Sequence, residues 1–371
     1  MPIYLTDLET PVPLVDLDRL AANLDRMAAY CALHGLALRP HVKTHKSPRL
    51  AAEQLRLGAV GLTCATLREL EVMADVSHDL LWAYPPVGSP RLRRLFSLPR
   101  DAALTVALDS LETLEVLADL AEAADREVGV YIEVDVGMRR VGVTEPEEAV
   151  LLASRARALS PLRYRGICFY PGHIREPLPQ QDGAIERLGR DVERFVRALD
   201  AAGMPPQVVS GGSTPAAWWM HEVPFLTEVR PGTYVYNDRA TVLAEACGWE
   251  DCALTVLATV VSTAVPGQAV VDAGSKALGR EPLVSGADSG FACVLDHPEV
   301  SVVRMSEEHG VLDLRGSDWR PKVGDLVRLV PNHVCVTVHL NDYVYGVRGE
   351  VVEAAWWVAA RGRGDPLLTP Q

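Results

Sequence analysis

The sequence predicts an α/β protein in which a closed (β/α)8 barrel of the TIM type is followed by a smaller β-rich domain. Three observations carry this. Eight short apolar, β-branched runs alternate with helix-like stretches within roughly 220 residues. Those runs read as apolar on both faces, which is the pattern of a parallel sheet covered by helices. After about Cys247 the texture changes to strands broken by Gly, Pro and Asp turns.

Taken in order, the first element is a helix. Leu17, Leu20, Leu24, Met27 and Cys31 recur at three- and four-residue steps, and Gly35 stops the pattern. The eight strand-like runs cover residues 36–43, 59–64, 80–84, 104–108, 128–134, 164–169, 207–210 and 228–236. An open doubly wound sheet is the competing architecture, but no glycine-rich dinucleotide fingerprint follows the first run. Residues 253–265, 268–272, 300–305, 311–314, 325–330, 334–340 and 349–359 then read as strands of the second domain. A chain of 371 residues exceeds what one core organises. We place the division at 1–245 and 246–371, with the extreme N-terminus able to pack on the β domain and residues 361–371 as a solvated tail.

The 49 acidic and 36 basic residues give a net charge of −13, which argues against nucleic acid and anionic membranes as partners and favours small-molecule chemistry. The N-terminus lacks the basic and apolar blocks of a signal peptide, and no apolar run is long enough to span a bilayer, so a cytoplasmic protein is expected. Seven scattered cysteines without CxxC spacing do not read as a disulfide framework. Only four of the 36 basic residues are lysines: Lys43, Lys46, Lys276 and Lys322. Amine chemistry therefore has four candidates.

Strand ends at the C-terminal face of a barrel are where chemistry collects. The first run ends in Arg39-Pro40-His41-Val42-Lys43-Thr44-His45-Lys46, which would put Lys43 at the mouth. Other cations there, namely His45, Lys46 and Arg39, favour the neutral amine that a Schiff base needs, although a basic surface turn is the plainer reading. Ser210-Gly211-Gly212-Ser213-Thr214 follows the seventh run, where barrels often bind phosphate, and Arg230-Pro231-Gly232-Thr233-Tyr234 at the eighth could complete the cradle; ordinary turn chemistry explains both equally well. Pro331-Asn332-His333-Val334-Cys335 sits in a strand-like run, so the imidazole and thiol at i and i+2 share a face and could chelate one ion with positions left open, or form a buried pair. Asp135, Arg139 and Arg140 end the fifth run and Tyr170-Pro171-Gly172-His173 the sixth; His173 could face a cofactor ring or satisfy a loop.

Together with Thr10-Pro11-Val12-Pro13-Leu14-Val15-Asp16 and Asp272-Ala273-Gly274-Ser275-Lys276, these segments resemble, in order and spacing and over nearly the whole chain, the D-serine dehydratase and D-threonine aldolase family. The resemblance implies a fold-type III pyridoxal-phosphate enzyme with an alanine-racemase-like barrel and a C-terminal β domain. It implies that Lys43 forms the Schiff base with the cofactor. Gly211, Gly212, Ser213 and Thr214, with Gly232, Thr233 and Tyr234, would hold the phosphate, with Arg230 toward the pyridine nitrogen and Arg140 and Tyr170 as further cofactor contacts. His333 and Cys335 match the metal pair of the dehydratase branch, zinc being expected and manganese or magnesium the alternatives. The implied substrate is a D-3-hydroxy amino acid, with Lys43 as α-proton base and His173 or His45 serving the hydroxyl. Water elimination to a 2-keto acid and ammonia is the first reading, retro-aldol cleavage to glycine and an aldehyde the alternative, and a metal-independent racemase the second alternative. A homodimer is expected, because barrel and β domain of one chain are poorly placed to close one site in this fold type.

Overall fold

The computed structural model describes residues 1–283 and 290–364. Its described residues divide into two compact units: Met27–Gly232 with residues 360–364, and Met1–Arg26 with Thr233–Ala359. At the N-terminus come β1 (Ile3–Tyr4), β2 (Val12–Asp16) and α1 (Leu17–His34). Asp16 Oδ1 accepts from the first free amides of α1, those of Asp18 and Arg19, both at 3.0 Å, and Gly35 ends the helix at φ +66°.

The first unit is the barrel. Its strands are β3 (Ala37–Leu38), β4 (Leu62–Cys64), β5 (Asp79–Trp82), β6 (Ala103–Leu108), β7 (Val128–Glu133), β8 (Leu162–Cys168), β9 (Val208–Gly211) and β10 (Glu228–Val229). They are parallel and run in the order β3-β10-β9-β8-β7-β6-β5-β4. Val60 N to Leu38 O (2.8 Å) and Thr63 N to Pro40 O (2.9 Å) join the two ends of that order and close it. Every residue of β7 is buried, as both-face burial requires, and Leu81, Ala107, Tyr131 and Cys168 pack together. The crossovers are α2 (Pro48–Arg56), α3 (Leu67–Met73), α4 (Ser89–Phe96), α5 (Leu111–Ala123), α6 (Pro146–Ala158) and α7 (Asp182–Ala201). All eight expected runs contain a strand. The eighth stops at Val229, before Pro231, which has no N–H to continue a ladder.

The second unit carries α8 (Arg239–Leu243), β11 (Leu254–Ser262), β12 (Gln268–Val271), α9 (Ser275–Leu278), β13 (Ala292–Val294), β14 (His297–Met305), β15 (Gly310–Asp313), β16 (Leu326–Pro331), α10 (Val334–Leu340), β17 (Tyr343–Arg348) and β18 (Val351–Trp357). The antiparallel order β11-β12-β15-β14-β13-β16 returns to β11 and so forms a closed barrel around Val256, Val260, Val271, Val302, Leu312 and Leu329. Strand β2 pairs antiparallel with β11 and parallel with β17, which ties the N-terminus into this unit. The chain thus divides near residues 27 and 233, where the sequence reading has a single division at 245/246.

One element differs in kind. Residues 334–340, expected as a strand, form the helix α10, with Val334, Thr337 and Val338 buried at i, i+3 and i+4 and Thr337 Oγ1 donating to Leu278 O at 2.8 Å. Its β-branched composition favours a strand, and burial of one helical face overrides that preference. Of the tail expected to be solvated, residues 365–371 lie outside the described residues.

Candidate active site

After β3 the chain turns, with Lys46 N donating to Val42 O at 2.8 Å. This leaves Lys43 half-buried at the C-terminal end of the strand, its Nζ 5.7 Å from the centre of the Tyr170 ring. Among the described residues no ion pair involves Lys43, whereas Lys46 is buried against Glu69 and Lys276 pairs with Glu308 at 2.6 Å. The cations expected to crowd Lys43 are neutralised. Arg39 turns to Glu228 (2.8 Å) and to both oxygens of Asp79 (2.8 and 3.0 Å), and Lys46 has Glu69. His45 is buried and its ring is pushed down to about 4, chiefly by that burial. Its Nδ1 accepts from Ser47 N (3.1 Å) and its Nε2 donates to Gln54 Oε1 (3.2 Å). Neither nitrogen is left for a substrate. These carboxylates are remote in sequence, so counting charges along the motif did not reveal them.

Tyr170 organises the strand ends. Arg140 Cζ lies 5.0 Å from its ring centre, in cation–π range, and Gly172 is needed because a Cβ there would come within 2.1 Å of that ring. His173 is exposed, with its ring against Gly137, where a Cβ would sit 3.1 Å from Nε2. Asp135 ties down the Gly137 and Arg139 amides at 2.8 and 3.0 Å. Glu133, which the sequence reading missed, is buried at the end of β7. Burial raises its carboxyl, and Arg230 and Arg140 oppose the rise.

The glycine loop is built by close approach. A Cβ on Gly211 would meet the Phe169 ring at 2.2 Å, and Gly212 has φ +97°. One on Gly232 would lie 2.9 Å from Thr44 Oγ1 and 3.0 Å from His41 O, so the loop after β10 packs directly on the Lys43 turn. Gly212, Ser213, Pro231 and Tyr30 line a shallow depression, and Thr214 is buried in the same loop. Arg230 Nη2 donates to Phe169 O at 2.7 Å. Among the described residues Ser213 Oγ, Arg230 Nε and Arg230 Nη1 are buried without a hydrogen-bond partner. Buried donors are normally satisfied, so three orphans at the mouth that holds the lysine fit an anionic aromatic cofactor such as pyridoxal phosphate. Thr233 and Tyr234, the other expected phosphate contacts, lie in a single 3-10 turn of the second unit.

In the second unit His333 immediately precedes α10 and Cys335 lies in its first turn, so their proximity arises from a helix start rather than from a shared strand face. The imidazole is held up to about 11, first by the Cys335 thiolate, against burial, and then by its hydrogen bond to Asp238. Asp238, also missed from sequence, is fully buried and accepts from His333 Nδ1 at 2.9 Å. An imidazole and a thiol are a borderline-soft donor set that suits zinc. Among the described residues no group of three or more His, Cys, Asp or Glu could hold an ion, so these two would be the protein's share of the coordination sphere. No helix among the described residues is long and apolar enough to cross a membrane.

Comparison with known proteins places this arrangement. Residues 15–240 match the family model "Alanine racemase, N-terminal domain" and residues 253–347 the model "Putative serine dehydratase domain". The chain is 33% identical over 372 residues to the 3-hydroxy-D-aspartate aldolase of Paracoccus denitrificans (strain Pd 1222), covering 97% of this chain and 94% of that one. The crystal structure of D-threonine aldolase from Filomicrobium marinum superposes with a TM-score of 0.89 at 32% identity, covering 97% and 98% of the two chains. A cysteine-to-alanine mutant of D-threo-3-hydroxyaspartate dehydratase, in its metal-free form, superposes with a TM-score of 0.86 at 31% identity, covering 98% and 100%. With both family models matched in order and relatives above 30% identity over nearly the whole chain, this chain belongs to the D-serine dehydratase and D-threonine aldolase family of alanine-racemase-like, fold-type III enzymes.

Proposed function

We propose that the protein is a pyridoxal-phosphate- and divalent-metal-dependent lyase of D-3-hydroxy amino acids, working by water elimination to a 2-keto acid and ammonia. The observation that carries the dehydratase reading is the imidazole–thiol pair His333–Cys335. A cysteine mutant of a dehydratase relative in metal-free form agrees with it.

Lys43 would hold the cofactor, with Ser213 Oγ and the Gly211–Gly212 loop at its phosphate and the free Arg230 nitrogens at its ring. Bound there, pyridoxal phosphate supplies an electron sink for the bond broken at the substrate's Cα, and a divalent ion on His333 and Cys335 supplies a Lewis acid for the 3-hydroxyl. With the cofactor bound, the Lys43 amine would be the base placed to take the α-proton. Tyr170 and Arg140 fix the direction from which it does so. His173, with its ring exposed, hands a proton to the departing hydroxyl; His45, with both nitrogens engaged, does not. Loss of the 3-hydroxyl as water leaves an enamine that hydrolyses to the keto acid and ammonia.

Likeness to two aldolases favours a second reading, in which His173 takes the hydroxyl proton and the Cα–Cβ bond breaks to give glycine and an aldehyde. Incubation with D-serine, D-threonine and D-threo-3-hydroxyaspartate, scored for 2-keto acid and ammonia against glycine and aldehyde, decides between them. Glycine as the sole product would replace the dehydratase reading. Inversion at Cα without keto acid or glycine, undiminished in metal-free buffer, would replace both with a racemase. We further propose a homodimer, and a monomeric mass by light scattering at working concentration would overturn it.

A further inference from the structure

We propose that Asp238 is the positioning residue of the metal pair: it holds the His333 imidazole with Nδ1 protonated, so that Nε2 is the donor to the ion. The inference rests on the reading of His333 and Cys335 as metal ligands. Asp238 is wholly buried just before α8, and its two oxygens face different segments. Oδ1 accepts from Thr241 N at 2.9 Å and Thr241 Oγ1 at 3.1 Å. Oδ2 accepts from Val334 N at 3.2 Å and from His333 Nδ1 at 2.9 Å.

The logic is one of donors and acceptors. The amides of Thr241 and Val334 can only donate, and a carboxylate facing two of them stays an acceptor. The ring nitrogen sharing Oδ2 with Val334 must therefore carry a hydrogen, so Nε2, the nitrogen remote from Asp238, is the one left to exchange its proton for an ion. That is the arrangement by which an outer carboxylate fixes a ligating histidine and raises its basicity. The same carboxylate oxygen bonds the first amide of α10, so one residue sets both the ring and the start of the helix that carries Cys335. As a ligand itself, Asp238 would have to abandon three fixed donors on two segments, so its place is behind the ring.

The test is Asp238→Asn, which keeps the shape but turns one acceptor into a donor, so that either Thr241 or the His333–Val334 pair faces a hydrogen. Wild-type and variant holoenzymes are stripped with chelator and their zinc affinity is measured by equilibrium dialysis. We expect affinity to fall roughly 10–100-fold while the visible absorbance of the cofactor is retained. Unchanged zinc affinity in the folded variant overturns the proposal. Where the variant does not fold, nitrogen-15 NMR of zinc-loaded, histidine-labelled wild-type protein, assigned with His333→Gln, decides. A protonated Nδ1 with zinc on Nε2 supports the inference, and zinc on Nδ1 refutes it. Cys335→Ala run in parallel separates the two levels: if it binds zinc like wild type, the metal reading itself is wrong.

Discussion

A histidine sealed inside a protein is harmless while neutral and destabilising once protonated, and His45 is such a residue. Its folded value is about 4 against the ordinary 6.5. Between those pH values the unfolded chain takes up a proton that the folded one refuses, so stability is fully present above pH 6.5 and falls as pH drops toward 4. The loss would amount to roughly 3 kcal/mol. His41, lowered by burial and then by Lys43, works in the same direction. In urea unfolding measured against pH, His45→Gln should flatten the profile through that window, and parallel wild-type and variant slopes would remove the explanation. Lys43 makes the complementary case. Lys46 cannot substitute for it, because drawing Nζ away from Glu69 would leave a buried carboxylate unpaired. Lys43→Ala should accordingly be colourless, with nothing trapped by borohydride, and a yellow variant would show that another amine carries the cofactor.

At the scale of elements, the glycines at strand ends are set by what presses on them. Gly211→Ala would drive a methyl into the Phe169 ring, and a misfit of that kind costs about 1–3 kcal/mol. Because the same loop presents Ser213, cofactor affinity should fall more than overall stability does; equal losses in cofactor titration and thermal melting would count against a cofactor role for the loop. The eight barrel strands were legible in the sequence because a parallel sheet buried on both faces writes continuous apolar runs. The second unit was less so. Strand β13 is three residues long, β2 joins a sheet built mostly from the other end of the chain, and α10 is disguised by three valines and a threonine. Lys43, Ser213, Arg230, His333 and Cys335, the residues proposed for the site, lie in local motifs. Asp238 could not be read from such a motif, since its tie to His333 spans 95 residues, although an Asp three places before a Thr is a readable helix-cap signal. Glu133 was hidden in an apolar run.

For the whole molecule, the decisive fact is how the chemistry is divided. Lys43, the glycine loop and Arg230 belong to the parallel barrel unit, and Asp238, His333 and Cys335 belong to the β unit, each set held by hydrogen bonds and packing inside its own unit. If the proposed cofactor and metal sites rest on separate frameworks, the two functions should be separable by mutation. Cys335→Ala is therefore expected to lose its ion and at least 100-fold in lyase turnover, an amount in keeping with removal of a Lewis acid worth several kcal/mol, while its visible absorbance stays that of wild type. Lys43→Ala should do the reverse, keeping zinc at wild-type stoichiometry while losing colour. Metal analysis by plasma mass spectrometry, with absorbance on the same samples, reads both at once. If removing either ligand set emptied the other as well, the two units could not be independent supports, and the assignment of the ion to His333 and Cys335 alone would have to be given up.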